Sequence, residues 1–373
     1  MELLNAIISF LVIMSFIVFI HEYGHFIFAR LFKVHIEEFS IGFGKRIFSF
    51  KDKKGTEWKF SLIPMGGYVK MFGDDNPASA PSGNIQEFTE EQKQKSFYFK
   101  PLYQKFLIVF AGPLFNYLLG FVVFFCLIFN NGISKTSNFI NEVQNNSPAY
   151  LAGLRSGDQV IAINNRKVLR FGDIQKTVQM HPDTLLTFNV VRSNEIIIID
   201  IKPEIVETND FLGNSISVGR IGVTSEVITF EDASLLESFN LALYELYDLS
   251  RLTLIALKQI ITGQRSLGDL SGPVKIAKYS SQVTEKAVNG DDGGIDFSLI
   301  FWFIALISIN LGLANLLPIP LLDGGHLFFY MVEAVIRRPI PIQIQQFAFK
   351  FGFVFLVSLF VLITVNDVRS IFQ

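Results

Sequence analysis

The chain has 373 residues, half of them hydrophobic, with a formal net charge of −2 and a mean hydropathy of +0.39. That is too apolar for an ordinary soluble protein and points to membrane spans joined by soluble parts. Near-neutral charge argues against a nucleic-acid partner. The single cysteine, Cys126, lies in an apolar run, so no intramolecular disulfide framework is possible.

The first element is an apolar run, about Leu3–Phe28, in which only Asn5, Ser9 and Ser15 precede His21 as polar residues. Its length suits a bilayer-crossing helix, which takes about 20 residues. The opening Met-Glu-Leu-Leu lacks a basic region and a cleavage site, so the helix reads as uncleaved. The run carries His21-Glu22-Tyr23-Gly24-His25. On a helix, positions i and i+4 share a face, so both imidazoles can reach one zinc ion. Glu22 points to the same pocket, where it can take a proton from water. Ionisable groups in such a run are costly to insert and mark a functional site.

Residues 41–50 and 57–63 read as strands around a Lys/Asp/Gly turn at 51–55. In Pro64–Met71 the paired Gly66 and Gly67 suggest a bend or a close backbone approach, then a short strand. Residues 74–86 have the composition of a flexible linker. A second span follows at about Leu102–Phe129. The loop between spans one and two is rich in Lys and Arg, so it reads as cytoplasmic. The N-terminus, the segment 131–296 and the C-terminus then lie outside.

Residues 138–203 read as a small soluble domain. Alternating apolar residues mark strands at 139–143, 159–163, 186–191 and 196–201. A helix at 147–154 would be capped by Ser147 with Pro148 in its first turn, and a second helix covers 173–180. Gly-interrupted strands continue through 204–232. The pattern at 233–261, with Leu235, Leu236, Phe239, Leu243, Leu246 and Leu249, predicts a long helix that lies on the surface or packs. His35 and His181 fall in loops and read as surface residues.

Spans three and four are about Phe297–Leu317 and Phe347–Val365. Spans one and three run in the same direction, so the histidine pair should meet the segment that ends span three, Asn315 to His326. Two histidines leave a zinc site one ligand short. Asp323 is the best placed third ligand. Glu37 and Glu38, downstream of His25, compete with it, and His326 reads as structural. Pro318 and Pro320 would break the helix, which membranes tolerate where backbone lines a polar cavity.

Several motifs follow one another in order: His21–His25; Phe39-Ser40-Ile41-Gly42-Phe43-Gly44-Lys45; Pro64–Met71; Ala111-Gly112-Pro113-Leu114-Phe115-Asn116; Ser147–Asp158; and Asn315–Gly325. On these the sequence resembles the site-2 protease family of intramembrane zinc metalloproteases, and within it the bacterial regulator of sigma-E protease type. The resemblance covers nearly the whole chain. It implies one zinc ion held by His21, His25 and Asp323, with Glu22 as general base and later proton donor. It implies that Asn315 holds the substrate backbone. It also implies that the strand Gly66, Gly67, Tyr68, Val69, Lys70 and Met71 lies beside the site and pairs with an extended substrate. A transmembrane substrate must unwind before hydrolysis, and an edge strand offers it replacement hydrogen bonds. Asn116 would support the catalytic region from span two, or simply hydrogen-bond between helices. Pro318, Pro320 and Gly324 would shape the third ligand's loop. The domain at 138–203 is PDZ-like and would screen substrates from outside; only one such domain fits here, where the best-known members carry two.

The expected fold is therefore a polytopic α-helical membrane protein of four transmembrane helices, with a cytoplasmic-side β-hairpin region and an extracytoplasmic β-rich PDZ domain. Its parts are a first transmembrane helix (1–32), a membrane-associated β region and linker (33–100), a second helix (101–130) and the PDZ domain (138–203). Strands and amphipathic helices (204–296), a third transmembrane helix with its loop (297–326) and a fourth (347–366) complete it. The expected activity is cleavage of single-pass membrane proteins near the cytoplasmic face of a bacterial inner membrane. Pre-cleaved anti-sigma factors or signal-peptide remnants are the substrate types, membrane lipid surrounds the enzyme, and an upstream site-1 type protease would act first. The alternatives are a non-catalytic membrane receptor that binds peptides through its PDZ domain and a metal transporter. The complete metal motif counts against the first, and the scarcity of polar residues in spans two and four against the second.

Overall fold

The computed structural model describes residues 2–73, 88–135, 137–209, 215–225, 229–266, 270–288 and 295–371; the linker expected at 74–86 lies outside them. The chain forms two compact units, 1–125 with 242–373, and 126–241. Among the described residues four helices are long and apolar enough to cross a membrane: Leu4–Leu31, Leu102–Asn131, Phe297–Leu316 and Ile342–Arg369.

The first of these belongs to α1 (Glu2–Leu31). Two long strands follow, β1 (Ile36–Lys51) and β2 (Glu57–Met71). Gly42 and Gly44 in β1 and Gly66 in β2 have φ near +90°, a conformation glycine adopts without steric cost. Both strands bend there. Residues 38–41 consequently pair with 57–60 on one side and 67–70 on the other, while 46–51 pair with 57–61. Two chain segments thus build four rungs, with 67–71 on an edge. A separate short strand after Gly67 was expected; instead the bend is absorbed within β2.

The sheet is fastened to α1. Trp58 packs on Phe26 and Phe39, with ring centroids 5.0 and 4.5 Å apart. Arg30, in the last turn of α1, pairs with Asp52 and reaches Thr56 at 3.0 Å. Burial pushes the Asp52 carboxyl up. Hydrogen bonds from Arg30, the Trp58 indole and the amides of Lys54 and Thr56 outweigh that and hold it at about 2. After the short α2 (Glu90–Lys95), α3 (Leu102–Asn131) contains Pro113, which denies Val109 its helical donor.

The second unit runs through β3 (Ile133–Lys135), β4 (Glu142–Val143), α4 (Pro148–Leu151), β5 (Gln159–Ile163), β6 (Arg166–Lys167), α5 (Phe171–Gln179), β7 (Leu186–Arg192), β8 (Glu195–Ile201), β9 (Glu204–Asn209), β10 (Ser215–Arg220), β11 (Val223–Thr224) and β12 (Thr229–Glu231). Ser147 caps α4 by accepting from the Tyr150 amide at 3.2 Å. A four-stranded sheet, ordered β6-β5-β7-β8, backs a core that includes Val160, Ile174, Leu186 and Phe188. Ile221 joins the same core and β11 pairs with β4, so the packed unit extends beyond residue 203. A groove of about 280 Å³ lies between α5 and β10–β11, lined by Ile174, Val178, Val218 and Ile221. His181 was expected to be a solvated loop residue; it is half-buried, and its ring donates to the Thr177 carbonyl at 2.8 Å, closing the end of α5.

In α6 (Leu235–Ile261) the Ser250 hydroxyl meets that of Tyr117 at 3.2 Å and the Thr253 hydroxyl donates to Asn310 at 2.8 Å. Its second half therefore packs against α3 and α8 (Phe297–Leu316) rather than lying on a surface. Between them α7 (Pro273–Val288) packs on α1 and α8. The backbone amides of Gly272 and Lys275 donate to Asp367. That carboxylate belongs to α10 (Ile342–Ile371), which follows α9 (Asp323–Ile336). The connection between spans three and four thus contains a 14-residue helix.

Candidate metal centre

α1 places His21 and His25 one turn apart, both buried. Asp323 comes from the first turn of α9, where a carboxylate is favoured by the helix dipole. The turn that delivers it is tight. Pro318 and Pro320 follow the end of α8, and Leu321 takes φ +83°, a strained conformation for leucine. A Cβ on Gly324 would meet the Leu317 carbonyl at 2.2 Å, so only glycine lets α9 fold back there.

The three side chains converge. His21 Nε2 lies 3.1 Å from one Asp323 oxygen and His25 Nε2 3.5 Å from the other. The two Nε2 atoms are 3.3 Å apart. Bonds of about 2 Å in a tetrahedron give edges of about 3.3 Å, so the spacing fits a single zinc-sized cation. The donor set, two imidazoles and a carboxylate, is one zinc accepts. Asp323 Oδ2 is moreover buried with no hydrogen bond of its own, which a cation would satisfy.

Span two closes the other side. His25 donates from Nδ1 to the Ile108 carbonyl at 2.9 Å, which turns Nε2 toward Asp323. One turn on, a Cβ on Gly112 would lie 2.3 Å from His25 Nε2 and 2.9 Å from His21 Cε1. A further turn on, the Asn116 amide stands 3.1 Å from His21 Nδ1. One stripe of α3 thus presents a carbonyl, a bare Cα and an amide to the two rings. Asn116 was anticipated as a supporting residue; Ile108 and Gly112 were not. A glycine inside an apolar helix, as at 112, was the available signal of close approach.

Glu22 is half-buried on the same helix. Its Cγ lies 3.2 Å from where a Cβ on Gly67 would stand, so the edge rung of the sheet runs beside it. Tyr68 donates to Glu38 at 2.9 Å, and Lys70 pairs with Glu37 at 2.9 Å. Glu38 also pairs with Lys59 at 2.7 Å. Glu37 and Glu38, the competing ligands, are thus engaged in the sheet. Val69 pairs with Phe39, and Met71 is buried opposite Ile36. Asn315, half-buried in the last turn of α8, makes no side-chain hydrogen bond among the described residues. His326 stays outside the cluster, its ring 5.0 Å from that of Phe349. Among the described residues His21, His25 and Asp323 form the group able to hold a metal.

Apolar helices of spanning length, gathered around a three-ligand metal centre with a carboxylate beside it, define a membrane metalloenzyme. The chain belongs to peptidase family M50, whose family model matches residues 9–359. A Rickettsia conorii protein named as a zinc metalloprotease is 36% identical, over 99% of each chain. Metalloprotease MmpA of Caulobacter vibrioides is 35% identical, over 98% of this chain and 96% of its own. A Campylobacter jejuni protein, also named as a zinc metalloprotease, is 33% identical over 96% and 92%. The protein is accordingly a membrane metalloprotease.

Proposed function

We propose that the protein is a zinc endopeptidase that hydrolyses peptide bonds of single-pass membrane proteins within the bilayer. The observation that carries this is the meeting of His21 and His25 from span one with Asp323 from beyond span three. His21, His25 and Asp323 hold one zinc ion, which when bound polarises the scissile carbonyl and readies a water for attack. Glu22 takes the proton from that water at its carboxylate and returns it to the leaving amine nitrogen. Its place beside Gly67 lets a substrate strand, laid antiparallel or parallel along the free edge of residues 67–71, pass directly over it. Asn315 offers its free amide to the same substrate backbone. Gly66 provides the bend that frees this edge, and Pro318, Pro320 and Gly324 hold the Asp323 turn.

The excess of Lys and Arg between spans one and two, and Arg337 and Arg338 between three and four, favour a cytoplasmic position for both loops. The metal centre then lies toward the cytoplasmic face of a bacterial inner membrane, and the termini and the unit at 126–241 lie outside. That unit's helix α5, its sheet and the groove beside β10 support a PDZ-like domain that sorts substrates. Substrates are single-pass proteins already trimmed by an upstream protease, such as anti-sigma factors or signal-peptide remnants. Glu22→Gln should retain one zinc per chain and lose cleavage of a model transmembrane substrate. Undiminished cleavage in that variant would remove Glu22 from its role.

A further inference from the structure

We infer that Asn116 is the positioning residue that selects the metal-binding nitrogen of His21, by turning its amide oxygen toward Nδ1. The inference rests on the zinc reading above. A histidine that ligates through Nε2 carries its proton on Nδ1, and that N–H needs an acceptor. For His25 the acceptor is the Ile108 carbonyl, which can only accept, so its tautomer is settled by the backbone. For His21 the partner at Nδ1 is the Asn116 amide, which can either donate or accept.

The geometry sets the amide nitrogen against Nδ1 and leaves Asn116 Oδ1 buried without a partner. On the other side of the ring, His21 Nε2 lies 3.1 Å from Asp323 Oδ2. The two ends of an amide are nearly isosteric, and their orientation follows the hydrogen-bond network. Reversed about its terminal bond, the oxygen accepts Nδ1–H and Nε2 becomes a lone pair directed into the centre. The backbone of Asn116 does not need to move: its carbonyl is held by the Ser308 hydroxyl at 3.0 Å, and Gly312 lies against its Cβ. Asn116 is fully buried between α3 and α8, so water does not substitute for it.

The test measures zinc affinity of the full chain in detergent by competition with a chelator, together with the Tm of the metal-free form. Asn116→Asp keeps an acceptor and should bind zinc within a few-fold of the unmodified protein. Asn116→Leu removes the acceptor and should bind about 10- to 100-fold more weakly at an unchanged metal-free Tm. If Leu disturbs the contact with Gly312 and lowers the Tm, Asn116→Ala, which adds no bulk, repeats the comparison. Wild-type affinity in the variant lacking an acceptor, or an equal loss in the Asp variant, would overturn the assignment. Failure of the unmodified protein to bind zinc would instead overturn the zinc reading itself.

Discussion

Replacing Gly112 by alanine sets helix propensity against the metal centre. In an isolated helix the change is favourable by about 1 kcal/mol, because glycine is the poorer helix former. Here the new methyl would stand 2.3 Å from His25 Nε2, 2.5 Å from His25 Cε1 and 2.9 Å from His21 Cε1, where ordinary contact begins near 3.4 Å. His25 must therefore retreat by about 1 Å, or α3 must move from α1. Overpacking of this kind costs about 1–3 kcal/mol, so the two effects together should lower stability by about 0–2 kcal/mol. The centre cannot absorb the shift, since its edges of 3.1, 3.3 and 3.5 Å already match one small cation. Displacement of a ligand by about 1 Å should lower activity about 100-fold or more. Zinc content per chain and the Tm in chelator, measured on the same preparation, separate the two effects. A variant that keeps full zinc and full activity would show that span two does not press on the histidines as described.

Gly67→Ala places a methyl 2.7 Å from the Ser40 carbonyl and 3.2 Å from Glu22 Cγ; zinc should be retained while kcat/KM falls about tenfold, from disturbance of Glu22 and the edge it adjoins. Acid should loosen the sheet from α1 at Asp52. Its pKa is depressed to about 2, so the stability it contributes is present above the ordinary carboxylate range and is lost as pH falls through about 2. The chain has two tryptophans, so in a Trp302→Phe background the emission of Trp58, packed edge-on against Phe26 and tilted against Phe39, reports this step directly. Asp52→Asn should abolish the step, and its persistence would assign it to another group.

Local pattern in the chain was enough to locate the four long apolar helices, because about 20 apolar residues and the i, i+4 repeat are properties of neighbouring residues. It was enough, for the same reason, to put His21 and His25 on one helix face and to place the strands at 159–163 and 186–191 and the Ser147 cap. The expectation that spans one and three meet at one end rested on the alternation of basic loops, a count along the chain. It could name Asp323 as a partner for the histidines but not its distance from them.

Only the tertiary structure decided the rest. That residues 38–41 are flanked by 57–60 and 67–70 depends on two bent strands finding each other, and no periodicity records it. That Glu37 and Glu38 are engaged by Lys70, Lys59 and Tyr68 follows from that sheet. That α6 packs on spans two and three, through Ser250 and Thr253, could not be told from an amphipathic pattern, which a surface helix shares. The stripe of Ile108, Gly112 and Asn116 gains its meaning only when α3 lies against α1. Spacing along a chain governs what a helix or strand presents on its faces; the partners of those faces are set by packing between segments that are up to three hundred residues apart.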